Sequence, residues 1–192
     1  MSLFLIEEHL SEHISIIQDF NDELKHKIIS IADIISYSLK ANGTVYWMGN
    51  GGSASDSLHI SGELIGRFRD DRKPLKSITL CSDVSAITCI SNDYGYENVF
   101  SRQIEGYVRK GDVVVGISTS GSSINILKGF KIANKIGGIT VGLLGKNGGA
   151  AANLCHTSII INSNSTMRIQ EMHITIGHIL CDLIEQNLKL KK

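Results

Sequence analysis

Residues 44–64, TVYWMGNGGSASDSLHISGEL, join an apolar run to a helix-like pattern through a loop that holds three glycines. A tight turn between a strand and a helix needs one or two glycines, because glycine adopts positive φ without steric cost. Gly49, Gly51 and Gly52 exceed that need. The surplus indicates a backbone that comes close to a ligand, and a helix that opens at Ser53 would direct its free N–H groups at an anion.

Four more apolar runs follow, separated by segments long enough for crossover helices, and the runs lack period-two alternation. This pattern is typical of parallel strands that are covered on both faces. The sequence therefore predicts a doubly wound α/β fold with a five-stranded parallel sheet flanked by helices, in which ligands lie beyond the carboxyl ends of the strands. The five runs are TVYWM (44–48), SITLCS (77–82), DVVVGIS (112–118), GITVGLLG (138–145) and TSIIINS (157–163).

Before the first strand, residues 3–41 contain no glycine or proline and carry an apolar stripe at helical spacing. One continuous helix of this length would measure about 58 Å, against roughly 42 Å for the diameter of a compact domain of this size. The segment must break into a hairpin or project onto a neighbour. We expect a single domain over 1–192 whose residues 1–41 form a helical oligomerisation segment. The stripe consists of Leu10, Ile14, Ile17, Leu24, Ile28, Ile31 and Ile35.

Composition narrows the class of partner. Nineteen basic and nineteen acidic side chains give no formal net charge, so there is no basic surface for nucleic acid or for membranes. No apolar run approaches the roughly 20 residues of a membrane span, and the N-terminus has no basic leader. The cysteines are scattered singly without C-x-x-C spacing, as in reduced proteins, so we expect a cytoplasmic location. They are Cys81, Cys89, Cys155 and Cys181.

Two loops carry the pattern of a phosphate site. GNGGS (49–53) and STSGSS (118–123) each follow a predicted strand and open a predicted helix, so their N–H groups and hydroxyls can converge on one anion. Neither loop is a G-x-G-x-x-G or Walker A motif, which argues against dinucleotides and nucleoside triphosphates. The alternative is that each loop is only a turn with helix-capping hydroxyls. The hydroxyls are those of Ser53, Ser118, Thr119, Ser120 and Ser123.

Candidate catalytic or metal-binding groups lie on the helices that follow. His59 and Glu63 are four residues apart and share a helix face; the alternative is a solvated hydrogen-bonded pair. His178 lies on the predicted final helix of residues 166–190, where a lone histidine on an apolar face is otherwise a core residue. Gln170 is eight residues earlier, about 12 Å along a helix, so joint ligation of one metal by Gln170 and His178 calls for a helix bend or a second subunit.

A third polar stretch is SNDYGYENVF (91–100), which we expect at another junction between a strand and a helix. It would place Asn92 and Asp93 at the same edge of the sheet as the two phosphate loops. Ordinary loop polarity and helix capping are the alternative.

Four segments in order, GNGGSASDSLHISGELIGRF, SNDYGYENVFSRQIE, GISTSGSS and RIQEMHITIGHIL, closely resemble the sedoheptulose 7-phosphate isomerase (phosphoheptose isomerase) family of the sugar isomerase (SIS) domain group. The resemblance covers nearly the whole chain. It implies a homotetramer with sites between subunits and conversion of sedoheptulose 7-phosphate to D-glycero-D-manno-heptose 7-phosphate, which supplies heptose for bacterial surface polysaccharides.

Carried over residue by residue, the resemblance implies one zinc ion per subunit, with Glu63 as the base and His178 as its acid–base partner. The implied zinc ligands are His59, Glu63, Gln170 and His178. The implied substrate contacts are Asn50, Gly51, Gly52, Ser53, Glu63, Asn92, Asp93, Ser118, Thr119, Ser120, Ser123 and Gln170.

This set of residues suits the chemistry, because moving a carbonyl from C2 to C1 through an enediol needs a group that accepts a carbon-bound proton and others that stabilise the oxyanion.

Two alternative functions remain open. Relatives of the same domain group bind the replication initiator protein or sense sugar phosphates without catalysis, and a pure binding module has no chemical need for Glu63 with His178. Another aldose–ketose isomerase of the group would differ in the length of its substrate.

Overall fold

A computed structural model describes residues 2–188 of the chain. Met1 and residues 189–192 lie outside the described residues, and with them the ends of the predicted domain, the first residue of the predicted segment 1–41 and residues 189–190 of the predicted final helix.

Five strands form one parallel sheet, as the sequence predicts, in the order β2-β1-β3-β4-β5. Each strand falls within or one residue beyond its predicted run, and every neighbouring pair is parallel. The strands are β1 Val45–Gly49, β2 Ser77–Thr79, β3 Val113–Ser118, β4 Ile139–Gly145 and β5 Thr157–Ile161.

Helices cover both faces of this sheet, so the predicted doubly wound arrangement is confirmed. In β1, Val45 and Trp47 belong to the core cluster that includes α2, α3 and α7 residues, whereas Tyr46 and Met48 belong to the cluster that includes α5 and α6 residues. This alternation is the strand periodicity of two, here with both faces buried. The helices are α1 Ser2–Gln18, α2 Asp22–Lys40, α3 Gly52–Ile65, α4 Val84–Tyr94, α5 Val99–Tyr107, α6 Ile124–Ile136 and α7 Thr166–Leu188.

The N-terminal segment breaks, as its length requires. Asn21 ends the interruption, because its side-chain oxygen accepts a hydrogen bond from the Leu24 N–H at 2.9 Å and so caps α2. Helix α2 then buries Ile28, Ile31 and Ile35 in the core.

Helix α1 is different, because none of its residues is buried. Ile16 packs partly against the core, but seven other apolar side chains of the helix are between 47% and 75% exposed, and they are Leu3, Phe4, Leu5, Ile6, Leu10, Ile14 and Ile17. Polar contacts tie α1 to α7, with Glu12 bonded to Arg168 at 3.2 Å and His13 bonded to Glu171 at 2.8 Å. The predicted apolar stripe thus divides into a half that the domain covers and a half that it leaves exposed.

The placement of Asn92 and Asp93 at a strand–helix junction is wrong. Both residues lie inside the last turns of α4 and are exposed. The reason is that β2 is only three residues long and α4 begins soon after it, capped by Asp83, whose side chain accepts the Ala86 N–H at 2.9 Å. Gly95, with φ of +84°, ends α4 and turns the chain into a short 3-10 helix at Tyr96–Asn98.

None of the helices within residues 2–188 is long and apolar enough to cross a membrane.

Candidate active site

The site forms beyond the carboxyl ends of β1 and β3, which are neighbours in the sheet with Gly49 opposite Ile117. In the strand order 2-1-3-4-5 this is the switch point, where the connections from the two strands leave on opposite faces and open a crevice. The two predicted phosphate loops, 49–53 and 118–123, therefore lie side by side.

Each glycine of the first loop has a separate structural reason. Gly51, with φ of +55°, precedes α3 in a conformation that other residues rarely adopt. A Cβ on Gly49 would collide with the backbone of Ser53, and a Cβ on Gly52 would collide with the side-chain amide of Gln170. Part of the glycine surplus thus serves close packing within the protein rather than contact with a ligand.

The first loop nevertheless presents free donors. The Ser53 N–H bonds to the Asn50 carbonyl at 3.0 Å, but no acceptor among residues 2–188 takes the N–H of Gly51 or Gly52. These groups lie at the N-terminus of a 14-residue helix, where backbone N–H groups and the helix dipole favour an anion.

Hydroxyl groups shape the second loop. Ser118 Oγ accepts the Gly121 N–H at 3.1 Å and lies 3.4 Å from Ser123 Oγ. Ser120 Oγ accepts the Ser122 N–H at 3.2 Å. One proton of the Ser118–Ser123 pair is used between the two hydroxyls, whereas Ser120 Oγ only accepts from the Ser122 N–H and so keeps its O–H proton for a ligand. Thr119 lies between Ser118 and Ser120 in the same loop.

Two histidines and a glutamate meet where α3 and α7 pack together. His59 Nε2 lies 3.0 Å from His178 Nε2 and 3.3 Å from Glu63 Oε1, and the ligating atoms of the three residues lie within 4.8 Å of one another. Gly177 permits this approach, because it faces Ile60 so closely that a Cβ would stand 2.5 Å from Ile60 Cδ1. Two imidazoles and one carboxylate are a donor set that fits zinc, whose ligands in a tetrahedral site stand roughly 3.3 Å apart.

Neighbouring residues fix this cluster. The Phe68 ring stacks on the His178 ring with centroids 5.6 Å apart. Glu63 is half-buried.

Cys181 is fully buried nearby, and burial, together with the charge of Glu63, raises the pKa of its thiol to about 12. The thiol is therefore protonated and takes no part as a nucleophile.

Gln170 lies near the first loop, one end of its amide donating to Asp56 Oδ1 at 3.3 Å. Asp56 is only 7% exposed, and its second oxygen has no partner among the described residues. Burial raises the pKa of the Asp56 carboxyl, although the Gln170 bond and His59 partly offset this. Helix α7 is continuous from Gln170 to His178, so the assignment of Gln170 as a zinc ligand stays a prediction.

Sequence reasoning missed two residues of this region. Tyr96, from the stretch that the sequence predicts to contribute Asn92 and Asp93, donates its hydroxyl to Asn50 Oδ1 at 2.8 Å. Asn125 bonds to the side chain of the same Asn50. The available signal was that Asn125 is a polar residue in the apolar helix pattern INILKGF, where a buried amide requires a partner.

Comparison with known proteins finds the same organisation elsewhere. The SIS domain family matches residues 8–145. A phosphoheptose isomerase of Nitratiruptor sp. is 49% identical over 182 residues, 95% of this chain and 97% of that protein. One of Helicobacter hepaticus is 48% identical over 181 residues, 94% of this chain and 92% of that protein. The solved structure of phosphoheptose isomerase from Neisseria gonorrhoeae superposes with a TM-score of 0.92 at 34% identity, covering 97% of this chain and 100% of that one.

Proposed function

This chain belongs to the SIS domain family and, within it, to the phosphoheptose isomerases, and from that premise we propose that it converts D-sedoheptulose 7-phosphate to D-glycero-D-manno-heptose 7-phosphate. The observation that carries the proposal is the meeting of His59, Glu63 and His178 beside a crevice with free N–H donors. A protein that only binds sugar phosphates has no need of such a cluster.

The phosphate group binds between the two loops. The N–H groups of Gly51 and Gly52 and the hydroxyls of the second loop hold its oxygens. His59 follows Gly52 by seven residues on α3, about 10 Å along the helix. A sugar phosphate anchored at the loops therefore extends its other end towards Glu63 and His178.

Glu63 and His178 carry the proton transfers. The Glu63 carboxylate takes the proton from C1 of the ketose and returns a proton to C2 of the enediol, which gives the aldose. His178 exchanges the proton between the two substrate oxygens as the carbonyl moves from C2 to C1. Stacking on Phe68 keeps the His178 ring in one orientation during both transfers.

We assign one zinc ion per subunit to this cluster, held by His59, Glu63 and His178, with Gln170 as a further ligand. When bound, zinc supplies Lewis acidity towards the substrate oxygens. The support is the donor set and its spacing. A Glu63 oxygen that ligates the ion is a poorer base than a free one. Turnover that requires zinc would identify a catalytic ion, and turnover that persists after zinc is removed would identify a structural ion.

We also propose that the protein is a homotetramer in which residues 1–41 form the oligomerisation segment. The support is the exposed apolar face of α1, which no part of residues 2–188 covers. Ile14→Asp places a charge on that face and should dissociate the assembly in sedimentation velocity runs. Ser15→Asp, on the next residue and also exposed, is the matched control and should leave the assembly intact; a monomeric wild type contradicts the proposal.

The direct test is turnover of sedoheptulose 7-phosphate by the purified protein in D₂O, followed by NMR. An enediol mechanism gives D-glycero-D-manno-heptose 7-phosphate that carries deuterium at C2 wherever the base exchanges its proton with solvent. Binding of the sugar phosphate without any product would favour a non-catalytic sensor, and a different aldose would change the assigned product.

We place this reaction in the cytoplasm, in the supply of heptose for a bacterial surface polysaccharide; the four free thiols agree with that compartment.

A further inference from the structure

A pair of side-chain amides joins the two loops of the site. Asn50 Nδ2 donates to Asn125 Oδ1 at 2.9 Å, and Asn125 Nδ2 donates back to Asn50 Oδ1 at 2.8 Å. Asn50 belongs to the first loop, and Asn125 is the second residue of α6, directly after the second loop. The two loops are thus connected by reciprocal hydrogen bonds across the crevice.

The side chain of Asn50 has little capacity left for a substrate. Its Oδ1 accepts from both Asn125 and the Tyr96 hydroxyl, the latter at 2.8 Å, and an amide oxygen has two lone pairs. One of its two N–H donors is also used. Asn50 therefore serves the site mainly by holding the backbone that leads into Gly51 and Gly52.

Asn125 is suited to fix that backbone. Its side chain is buried, with the residue 3% exposed, and a buried amide is costly unless its hydrogen bonds are made. Its oxygen also accepts the Ile126 N–H at 3.0 Å, in the first turn of α6. One amide thus bonds both to Asn50 of the first loop and to the helix that carries the second loop.

Resting on the proposed function, we propose that Asn125 is a positioning residue for substrate phosphate, and that Tyr96 assists it. Through its hydrogen bonds to Asn50, Asn125 fixes the position of the Gly51 and Gly52 N–H groups relative to the second loop. Tyr96 closes the same network from the 3-10 helix at Tyr96–Asn98. Neither residue touches the reacting carbons, so their loss acts on binding of the phosphate rather than on proton transfer.

The test compares Asn125→Ala with Asn134→Ala. Asn134 lies on the same helix α6 and also makes two side-chain bonds, to the Leu154 carbonyl and to Thr140 Oγ1, but at the far end from the loops. The readouts are the Kd of inorganic phosphate, from the amide NMR shifts of Gly51 and Gly52, and KM and kcat for the sugar phosphate. Asn125→Ala should raise Kd and KM by about three- to tenfold with kcat within about twofold.

Asn134→Ala should lower the melting temperature but leave Kd and KM unchanged. Equal effects of the two variants on Kd, or no effect of Asn125→Ala, would overturn the inference. If Asn125→Ala does not fold, Tyr96→Phe gives the same test from an exposed position, and it should raise Kd by about two- to fivefold. Its control is Tyr94→Phe, two residues earlier, whose ring packs under Arg102.

The phosphate readout separates this inference from the proposed function. Should the wild type bind phosphate in an Asn125-dependent way but turn over no sedoheptulose 7-phosphate, the isomerase proposal fails and the positioning role stands. If the wild type is an active isomerase and neither Asn125 nor Tyr96 affects the Kd of phosphate, the positioning role fails and the isomerase proposal stands.

Discussion

His59 and His178 lie 119 positions apart in the sequence, yet their Nε2 atoms are 3.0 Å apart. A hydrogen bond between two imidazole nitrogens requires that one carries a proton and the other does not. The pair is brought together by the close packing of α3 on α7 at Gly177, and Glu63 completes it from one turn further along α3. Proton transfer and metal ligation both need this convergence.

Glu63→Gln tests the base. The substitution keeps the size of the side chain but removes the carboxylate, so kcat should fall by about 10²- to 10⁴-fold while the melting temperature stays close to wild type. Glu105→Gln changes an exposed glutamate on α5 and should leave kcat unaltered. Turnover and melting temperature are measured on the same preparations, and near-normal kcat in Glu63→Gln would end the proposed mechanism.

Zinc affinity should depend on the same cluster without reference to activity. Competition with a chromophoric chelator should give about one zinc per chain for the wild type. Mutation of a residue that only hydrogen-bonds to a metal ligand lowers metal affinity by roughly 10- to 100-fold. His59→Ala and His178→Ala each remove a ligand, so the zinc affinity should drop by at least that factor. His156→Ala is the control, because that ring bonds to Thr140 at the amino end of β4 and its loss should leave the zinc affinity unchanged.

The sheet was predictable from the sequence because each strand lies in a short apolar run, a pattern that depends on local residues alone. The position of α4 was not, since β2 spans only Ser77–Thr79 and the chain leaves the sheet after the Leu80 N–H bonds to the Trp47 carbonyl. Asp83 provided the true helix start, but a single aspartate resembles many loop residues.

The candidate site likewise contains contacts that local spacing predicts and contacts that it does not. His59 with Glu63 could be placed together because helical spacing puts them on one face. Sequence spacing alone does not bring His178 to them, and that placement rested on family resemblance; the structure supplies the contact through Gly177. The Asn50–Asn125 pair was missed, because hydrogen bonds between distant loops leave no periodic pattern in the sequence.

His173 should make stability depend on pH. It is 1% exposed, and within residues 2–188 its ring nitrogens make no well-formed hydrogen bond, so the Leu144 backbone offsets the effect of burial only in part. Burial lowers its pKa from 6.5 to about 4, so between these values the unfolded state binds a proton that the folded state does not. The free energy of unfolding should therefore be highest above pH 6.5 and fall by up to about 3 kcal/mol as the pH drops towards 4.

Urea unfolding of His173→Leu across the same pH range checks this assignment. The slope between pH 6.5 and 4 should become shallower in His173→Leu, because the titrating group is gone. His26→Leu, an exposed histidine on α2, should keep the wild-type slope. A wild-type slope in His173→Leu would assign the pH dependence to other groups.

Arg72 and Glu185 form a buried ion pair that holds the end of α3 against α7. Arg72 Nε lies 2.6 Å from Glu185 Oε1, the pair is 0% and 5% exposed, and Glu185 also accepts the Phe68 N–H at 2.9 Å. Burial alone would raise the pKa of Glu185, but the Phe68 and Arg69 N–H groups and Arg72 lower it overall; Glu185 therefore contributes stability above its usual pKa, which is lost at lower pH.

Arg72→Met should lower the free energy of unfolding by about 3–5 kcal/mol, because it leaves a buried carboxylate without its cation. Activity per folded molecule should fall as well, since Phe68 would no longer be held against His178. Lys25→Met removes an exposed pair with Asp22 and should cost at most about 1 kcal/mol. Urea unfolding of both variants at pH 7 measures the loss of stability, and kcat per folded molecule measures the loss of activity. An Arg72→Met protein as stable as the Lys25→Met control would contradict the role of the pair.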